Sequence, residues 1–109
     1  MTDKIVVLTT CDSDEQAQQI ARHLVEHRLA ACVNILPGVR SVFRWKDKIE
    51  ESTELVLVIK SRRDLFAGLR AAIEKIHSGE VPEIVALPIV DGSEAYLDWM
   101  DHELGSVVA

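Results

Sequence analysis

A cysteine and a histidine in this 109-residue chain stand where their side chains could bind a soft metal ion. Cys11 follows an apolar strand pattern and lies just before a helix-opening signal at Ser13. Because the positive end of a helix dipole lowers the pKa of a nearby thiol, we expect Cys11 to ionise and to bind copper as Cu(I). The alternative role for Cys11 is a small buried residue at a strand-to-helix corner. His77 ends the second predicted helix and is either an imidazole ligand or a cap of that helix.

Acidic side chains surround the predicted hairpin and the fourth predicted strand. They are Glu50, Glu51, Glu54, Glu80 and Glu83. Carboxylates gathered in a cleft would hold hard divalent ions with weak selectivity, whereas the other interpretation is ordinary solvated charge at a sheet edge. Lys60, at the end of the third predicted strand, could pair with one of these acids or meet an anionic ligand.

Two further histidines, His23 and His27, are four positions apart on one predicted helix. This is the spacing of a metal clamp, but two exposed histidines without a third ligand are usually solvated. The sequence holds no Cys-x-x-Cys pair, His-Glu-x-x-His motif, glycine-rich phosphate loop or Gly-x-Ser-x-Gly elbow. The pattern therefore favours a binding protein over an enzyme.

The amino-acid composition limits the kinds of partner that this chain can bind. Eighteen acidic side chains against twelve basic ones give a formal net charge of −6, which disfavours binding to nucleic acid. Only four consecutive apolar residues follow the start of the chain, at Ile5 to Leu8, and these are too few for a signal-peptide core or a membrane span. We therefore expect a cytoplasmic protein with two reduced cysteines, folded as a single domain over residues 1–109.

Hydrophobic periodicity and turn signals predict the order of the elements. They indicate a strand over Lys4–Thr10, a helix opened by Ser13, strands over Ala30–Trp45 and Ile49–Lys60, a helix from Ser61 to His77, a strand over Val81–Val90 and a helix capped by Ser93. The order predicts an α+β fold, a ferredoxin-like βαββαβ sandwich with an added C-terminal helix and strand order 4-1-3-2. Pro37 and Pro88 then fall in the two edge strands, where a missing ladder N–H is tolerated.

The second and third strands form a long hairpin with Asp47 at its tip, since Asp tolerates left-handed backbone angles. At about 3.3 Å per residue the third strand spans about 40 Å, so part of the hairpin projects beyond the core. Apolar residues on this hairpin and on the last helix would be exposed in a monomer: Phe43, Trp45, Ile49 and Trp99. We expect them to lie in the interface of a closed ring of identical subunits; the alternative is a monomer whose hairpin folds back on its own sheet.

Four segments resemble the CutA divalent-cation tolerance family, and the resemblance runs from about Ile5 to Leu104. They are Ala30 to Gly38 (AACVNILPG), Phe43 to Glu51 (FRWKDKIEE), Glu80 to Ile89 (EVPEIVALPI) and Tyr96 to Trp99 (YLDW). Where the family commonly has His-Pro-Tyr-Glu, this chain has His77-Ser78-Gly79-Glu80, without the proline and the aromatic residue. The turn glycine usual in the family's hairpin is Asp47 here.

The resemblance implies a homotrimer similar in architecture to PII signalling proteins, with interlocked hairpins and clefts between subunits. It implies cytoplasmic tolerance of copper and other divalent metals, copper binding, and no established catalytic reaction. The candidate metal ligands are Cys11, His77, Glu80 and Glu83. The alternative function is a PII-like signalling trimer whose clefts bind a small anionic metabolite or nucleotide, with Lys60, Glu50 and Glu51 as candidate cleft residues.

Overall fold

The structure of the chain, a computed structural model, describes residues 2–106. The elements are β1 (Lys4–Cys11), α1 (Asp14–Glu26), β2 (Cys32–Trp45), β3 (Lys48–Arg62), a 3-10 turn (Arg63–Leu65), α2 (Phe66–Ile76), β4 (Ile84–Pro88) and α3 (Glu94–Glu103). None of these three α-helices combines the length and the apolar composition that a membrane crossing requires. The predicted domain over residues 1–109 includes residues 1 and 107–109, which lie outside the described part of the chain.

The four strands form one antiparallel sheet in the order β2-β3-β1-β4. This is the predicted order read from the opposite edge, so the predicted α+β, ferredoxin-like sandwich with a C-terminal helix is confirmed. Pro37 and Pro88 lie in the edge strands β2 and β4, each of which pairs with a single neighbour. The β2–β3 register shifts between Leu36 and Val39, so the bulge falls at the Pro37-Gly38 step.

The core lies between one face of the sheet and the two long helices. Strand residues such as Val7 and Leu57 are fully buried against Ile20 of α1 and Ile73 of α2. A smaller second cluster fixes α3, whose Met100 packs with Ala31, Leu65 and Leu104. The opposite face of the sheet carries neither of the two long helices, because both contribute to the same core.

The hairpin of β2 and β3 stays paired as far as Trp45 and Lys48. Lys46 and Asp47 at its tip both have positive φ angles, 49° and 65°, as a tight two-residue hairpin turn requires. The prediction for Asp47 is therefore confirmed, whereas the left-handed backbone of Lys46 was not anticipated. The hairpin makes the molecule elongated, with a longest dimension of 44 Å.

Two predicted boundaries are wrong. Ser61 does not open α2: it lies inside β3 opposite Ile5, is fully buried, and its hydroxyl donates to the Leu29 carbonyl at 2.6 Å. The capping pattern at Ser61 does not form a helix start, because this residue pairs with a distant strand instead. Helix α2 therefore begins only at Phe66. Strand β4 is also shorter than Val81–Val90, since β1 pairs with it only over Ile84–Pro88.

Candidate functional site

An open groove of about 750 Å³ lies beside the hairpin. One wall is the β2–β3 hairpin, the other is the loop between α2 and β4, and the end of β1 forms the third side. Six carboxylates line it: Asp12, Glu50, Glu51, Glu54, Glu80 and Glu83. No lysine or arginine is among the lining residues, so the groove concentrates negative potential.

The groove brings together most of the predicted site residues. Its hairpin wall holds Phe43, Trp45, Glu50 and Glu51, and its loop wall holds His77, Glu80 and Glu83. It does not include Cys11, Lys60, Ile49 or Trp99. The clustering of the glutamates agrees with the cleft interpretation, because the topology places two distant segments on either side of one groove.

His77 is held by hydrogen bonds at both ring nitrogens. Nε2 lies 2.6 Å from the Thr10 carbonyl oxygen, and Nδ1 lies 2.9 Å from the backbone N of Gly79. Because the carbonyl can only accept and the amide can only donate, these two hydrogen bonds require the tautomer with its proton on Nε2. His77 therefore fastens the α2–β4 loop to the end of β1. A metal ion would have to displace one of these two hydrogen bonds to bind the ring.

Cys11 does not have the lowered pKa that its place before α1 predicts. The side chain is 1% exposed, and burial, with smaller contributions from the charges of Asp12 and Glu54, raises the pKa of its thiol from 9.0 to about 11. Burial and these two carboxylates outweigh the helix dipole, so the expectation of a ready thiolate is wrong. Cys11 belongs to the main core, between Thr10 and Asp12 of the groove lining in the chain, and is protonated at neutral pH.

Lys60 lies away from the acids of the groove, one of the two kinds of partner that the sequence left open for it. Its Nζ donates to Oδ1 of Asn34, which lies two residues along β2 from Cys32, the strand partner of Lys60. The neighbours of Lys60 in β3, Ile59 and Ser61, are buried on the face of the sheet that packs against α1 and α2. Because successive side chains of a strand point to opposite faces, the Lys60 side chain lies on the other face. It adds no positive charge to the groove.

The lining carboxylates are mostly free of cationic partners within residues 2–106. Arg40 lies 3.7 Å from Glu51, and both side chains are largely exposed, so this pair is weak. No cluster of three or more potential metal ligands is preformed in that part of the chain. The groove can therefore attract and loosely hold cations without offering a rigid ligand set. The sequence analysis missed Asp12, whose signal is its position directly after a buried strand.

A family model described as "CutA1 divalent ion tolerance protein" matches residues 5–103. The chain belongs to this family. It is 48% identical over 100 residues to the divalent-cation tolerance protein CutA of Thermus thermophilus, covering 92% of this chain and 97% of that protein. The CutA resemblance of the sequence motifs is thereby confirmed.

Other CutA proteins extend the comparison. A solved structure of the periplasmic divalent cation tolerance protein CutA from Archaeoglobus fulgidus superimposes with a TM-score of 0.89 at 41% identity, covering 92% of this chain and 97% of that one. Protein CutA of Mus musculus is 42% identical over 98 residues, which are 90% of this chain and 55% of that protein. The chain thus spans nearly all of the Thermus protein and about half the length of the mouse protein.

Proposed function

We propose that this CutA protein is a cytoplasmic homotrimer that binds copper or other divalent cations in its acidic grooves and thereby contributes to metal tolerance. The observation that carries the proposal is a groove lined by six carboxylates and no basic side chain. Such a groove attracts cations and repels anions, so it favours metal ions over the anionic metabolite of the alternative function. The tolerance function of the family supports the same choice.

The assembly is supported by the face of the sheet opposite α1 and α2. Leu36, Val85 and Leu87 on that face are between 45% and 49% exposed, and Val56 and Val58 lie between them on the central strand β3. A continuous apolar sheet face of this kind is normally covered. In the proposed trimer the faces of three copies cover one another.

The projecting hairpin supplies the second contact of the proposed trimer. Phe43, Trp45, Ile49 and Trp99 are between 37% and 62% exposed in the single chain. Aromatic side chains at this exposure bury large areas when a partner covers them. A neighbouring subunit placed along the hairpin would also close the open side of the groove, so the ligand set of a bound cation would be completed between subunits.

The choice of metal follows from the donor atoms. Carboxylate oxygens suit hard divalent ions and discriminate weakly among them. Copper binding through Cys11 would require loss of the thiol proton, and through His77 the loss of a hydrogen bond. We therefore assign the first contact with the cation to Glu80 and Glu83, and no catalytic reaction to the groove.

Removal of two groove charges should weaken divalent-cation binding. In the Glu80→Gln/Glu83→Gln variant we expect the dissociation constant for Mn²⁺, measured by equilibrium dialysis, to rise about tenfold. The matched control is Glu15→Gln/Asp98→Asn, which removes two exposed carboxylates from helices outside the groove. Equal weakening in both variants would show that only net charge matters and would overturn the groove assignment.

Loss of apolar hairpin contacts should weaken the trimer. Native mass spectrometry should show three times the 12.2 kDa chain mass, and Trp45→Ser/Ile49→Ser should raise the concentration at which trimer dissociates by at least about tenfold. Val25→Ser is the control, because Val25 is 44% exposed on α1 and lies outside the proposed interface. A wild-type protein that remains a 12.2 kDa monomer would refute the assembly.

A further inference from the structure

A pair of histidines at the C-terminal end of α1 lies outside the groove. We propose that His23 and His27 together bind a divalent transition-metal ion that prefers imidazole, such as Ni²⁺ or Cu²⁺. This site is separate from the acidic groove, whose lining includes no residue of α1. The proposal therefore does not depend on the proposed function.

The two rings are already close together. Their centroids are 4.1 Å apart and their planes are inclined by 28°. Two nitrogens bound to one metal ion at 2.0–2.1 Å are about 3 Å apart, so the stacked rings must rotate to turn one nitrogen of each toward a shared ion. The ring of His23 makes no side-chain hydrogen bond within residues 2–106, so side-chain rotation can bring its nitrogen to the metal while the helix stays intact.

The hydrogen bond made by the His27 ring leaves its other nitrogen available to bind a metal ion. Its Nδ1 lies 2.9 Å from the backbone carbonyl oxygen of His23, which can only accept a hydrogen bond. Nδ1 therefore donates this hydrogen bond, so Nε2 is the ring nitrogen that is left to bind a metal ion. A hydrogen bond from the second ring nitrogen to a carbonyl is the arrangement that orients histidine ligands in metal sites.

The electrostatic surroundings accept a cation. His23 is in the last turn of α1 and His27 is its C-cap, so a bound ion would lie at the negative end of the helix dipole. Arg28 is directed away, because its Nη1 donates to the backbone carbonyl of Glu103 at 3.0 Å and lies 3.7 Å from that residue's carboxylate. The adjacent charges of Arg22 and Glu26, both on exposed residues, are opposite in sign.

The test is Ni²⁺ titration of the full chain by calorimetry at about pH 7.5, where imidazole is largely neutral. We expect His23→Gln and His27→Gln each to raise the dissociation constant of this site at least about tenfold, because chelation by the second ring is lost. His102→Gln is the matched control. His102 makes the same hydrogen bond to a carbonyl four residues back, at 3.1 Å from Asp98, but has no second imidazole beside it.

A gain-of-site variant keeps the test independent of any loss of folding. Asp98→His places a second imidazole four residues before His102 on α3, and we expect it to create one additional Ni²⁺ site. The groove variant Glu80→Gln/Glu83→Gln should leave binding at His23 and His27 unchanged. Unchanged affinity in His23→Gln, equal weakening in His102→Gln, or no Ni²⁺ binding by the wild-type chain would each overturn the proposal.

Discussion

Between about pH 9 and pH 11 the free energy of unfolding should fall by about 2 kcal/mol more in the wild-type protein than in a Cys11→Ala variant. The reason is the pKa of the Cys11 thiol, which burial and the charges of Asp12 and Glu54 raise from 9.0 to about 11. In this pH range the unfolded chain releases the thiol proton while the folded chain retains it. Raising the pH therefore favours the unfolded state.

Below about pH 8 the thiol is protonated in both states, so Cys11→Ala should change stability there only through lost packing. The measurement is urea unfolding at a fixed protein concentration from about pH 8 to about pH 11, because subunit association makes stability depend on concentration. Burial, with a smaller contribution from Cys32, also raises the pKa of Tyr96, and that titration occurs in both proteins. The difference between the two curves therefore isolates Cys11. Parallel curves would contradict a buried, high-pKa thiol.

The order of the elements could be predicted because it depends on local patterns. Alternating apolar residues mark the strands, and Ser13 and Ser93 do cap α1 and α3, with side chains that accept from the backbone N of Gln16 and Tyr96. Pro37 and Pro88 identified the edge strands, since neither can donate to a ladder. These signals act within a few residues, so the sequence alone contains them.

The errors arise where distant residues decide the outcome. Ser61 carries a capping pattern, but its pairing with Ile5 keeps it in β3. The raised pKa of Cys11 depends on burial first and on the nearby charge of Glu54 in another strand, neither of which its local sequence reveals. His77 is bonded to Thr10, which is 67 positions away in the chain. The glutamates of the groove were identified by type, but the groove itself required the β2–β3 pairing and the α2–β4 loop.

A network of charges holds α3 against the ends of two strands. Asp101 of α3 lies 3.2 Å from Nζ of Lys4 and 3.2 Å from Nη1 of Arg62. The side chains of Lys4 and Arg62 are only 6% and 13% exposed, whereas Asp101 is half-exposed. Arg62 also donates to the Gly105 carbonyl at 2.6 Å, just beyond the helix. The Asp101 carboxylate is thus paired with two cationic side chains that are both largely buried.

Replacement of Asp101 by Asn should lower the free energy of unfolding at neutral pH by about 2 kcal/mol. Asn keeps the size of the side chain but removes the one carboxylate that Lys4 and Arg62 share. Each cation then keeps a single partner, Asp3 for Lys4 and Asp64 for Arg62. The estimate is below the cost of breaking a fully buried pair, because Asp101 retains part of its hydration. Chemical denaturation of the two proteins at one concentration measures the difference.

The effect of Asp101→Asn should disappear at low pH. Burial alone would raise the pKa of Asp101, but its hydrogen bonds with Lys4 and Arg62 outweigh that effect and lower it below 3.8. The Asp101 carboxylate therefore stabilises the fold at pH values above its ordinary pKa, and this contribution is lost as the pH falls through the lowered pKa.

Glu103→Gln is the control on the same helix. The pair of Glu103 with Arg28 is exposed and long, at 3.7 Å, and should contribute less than about 0.5 kcal/mol. Equal effects of the two substitutions, or a difference between wild type and Asp101→Asn that does not shrink in acid, would rule out the two-cation role of Asp101.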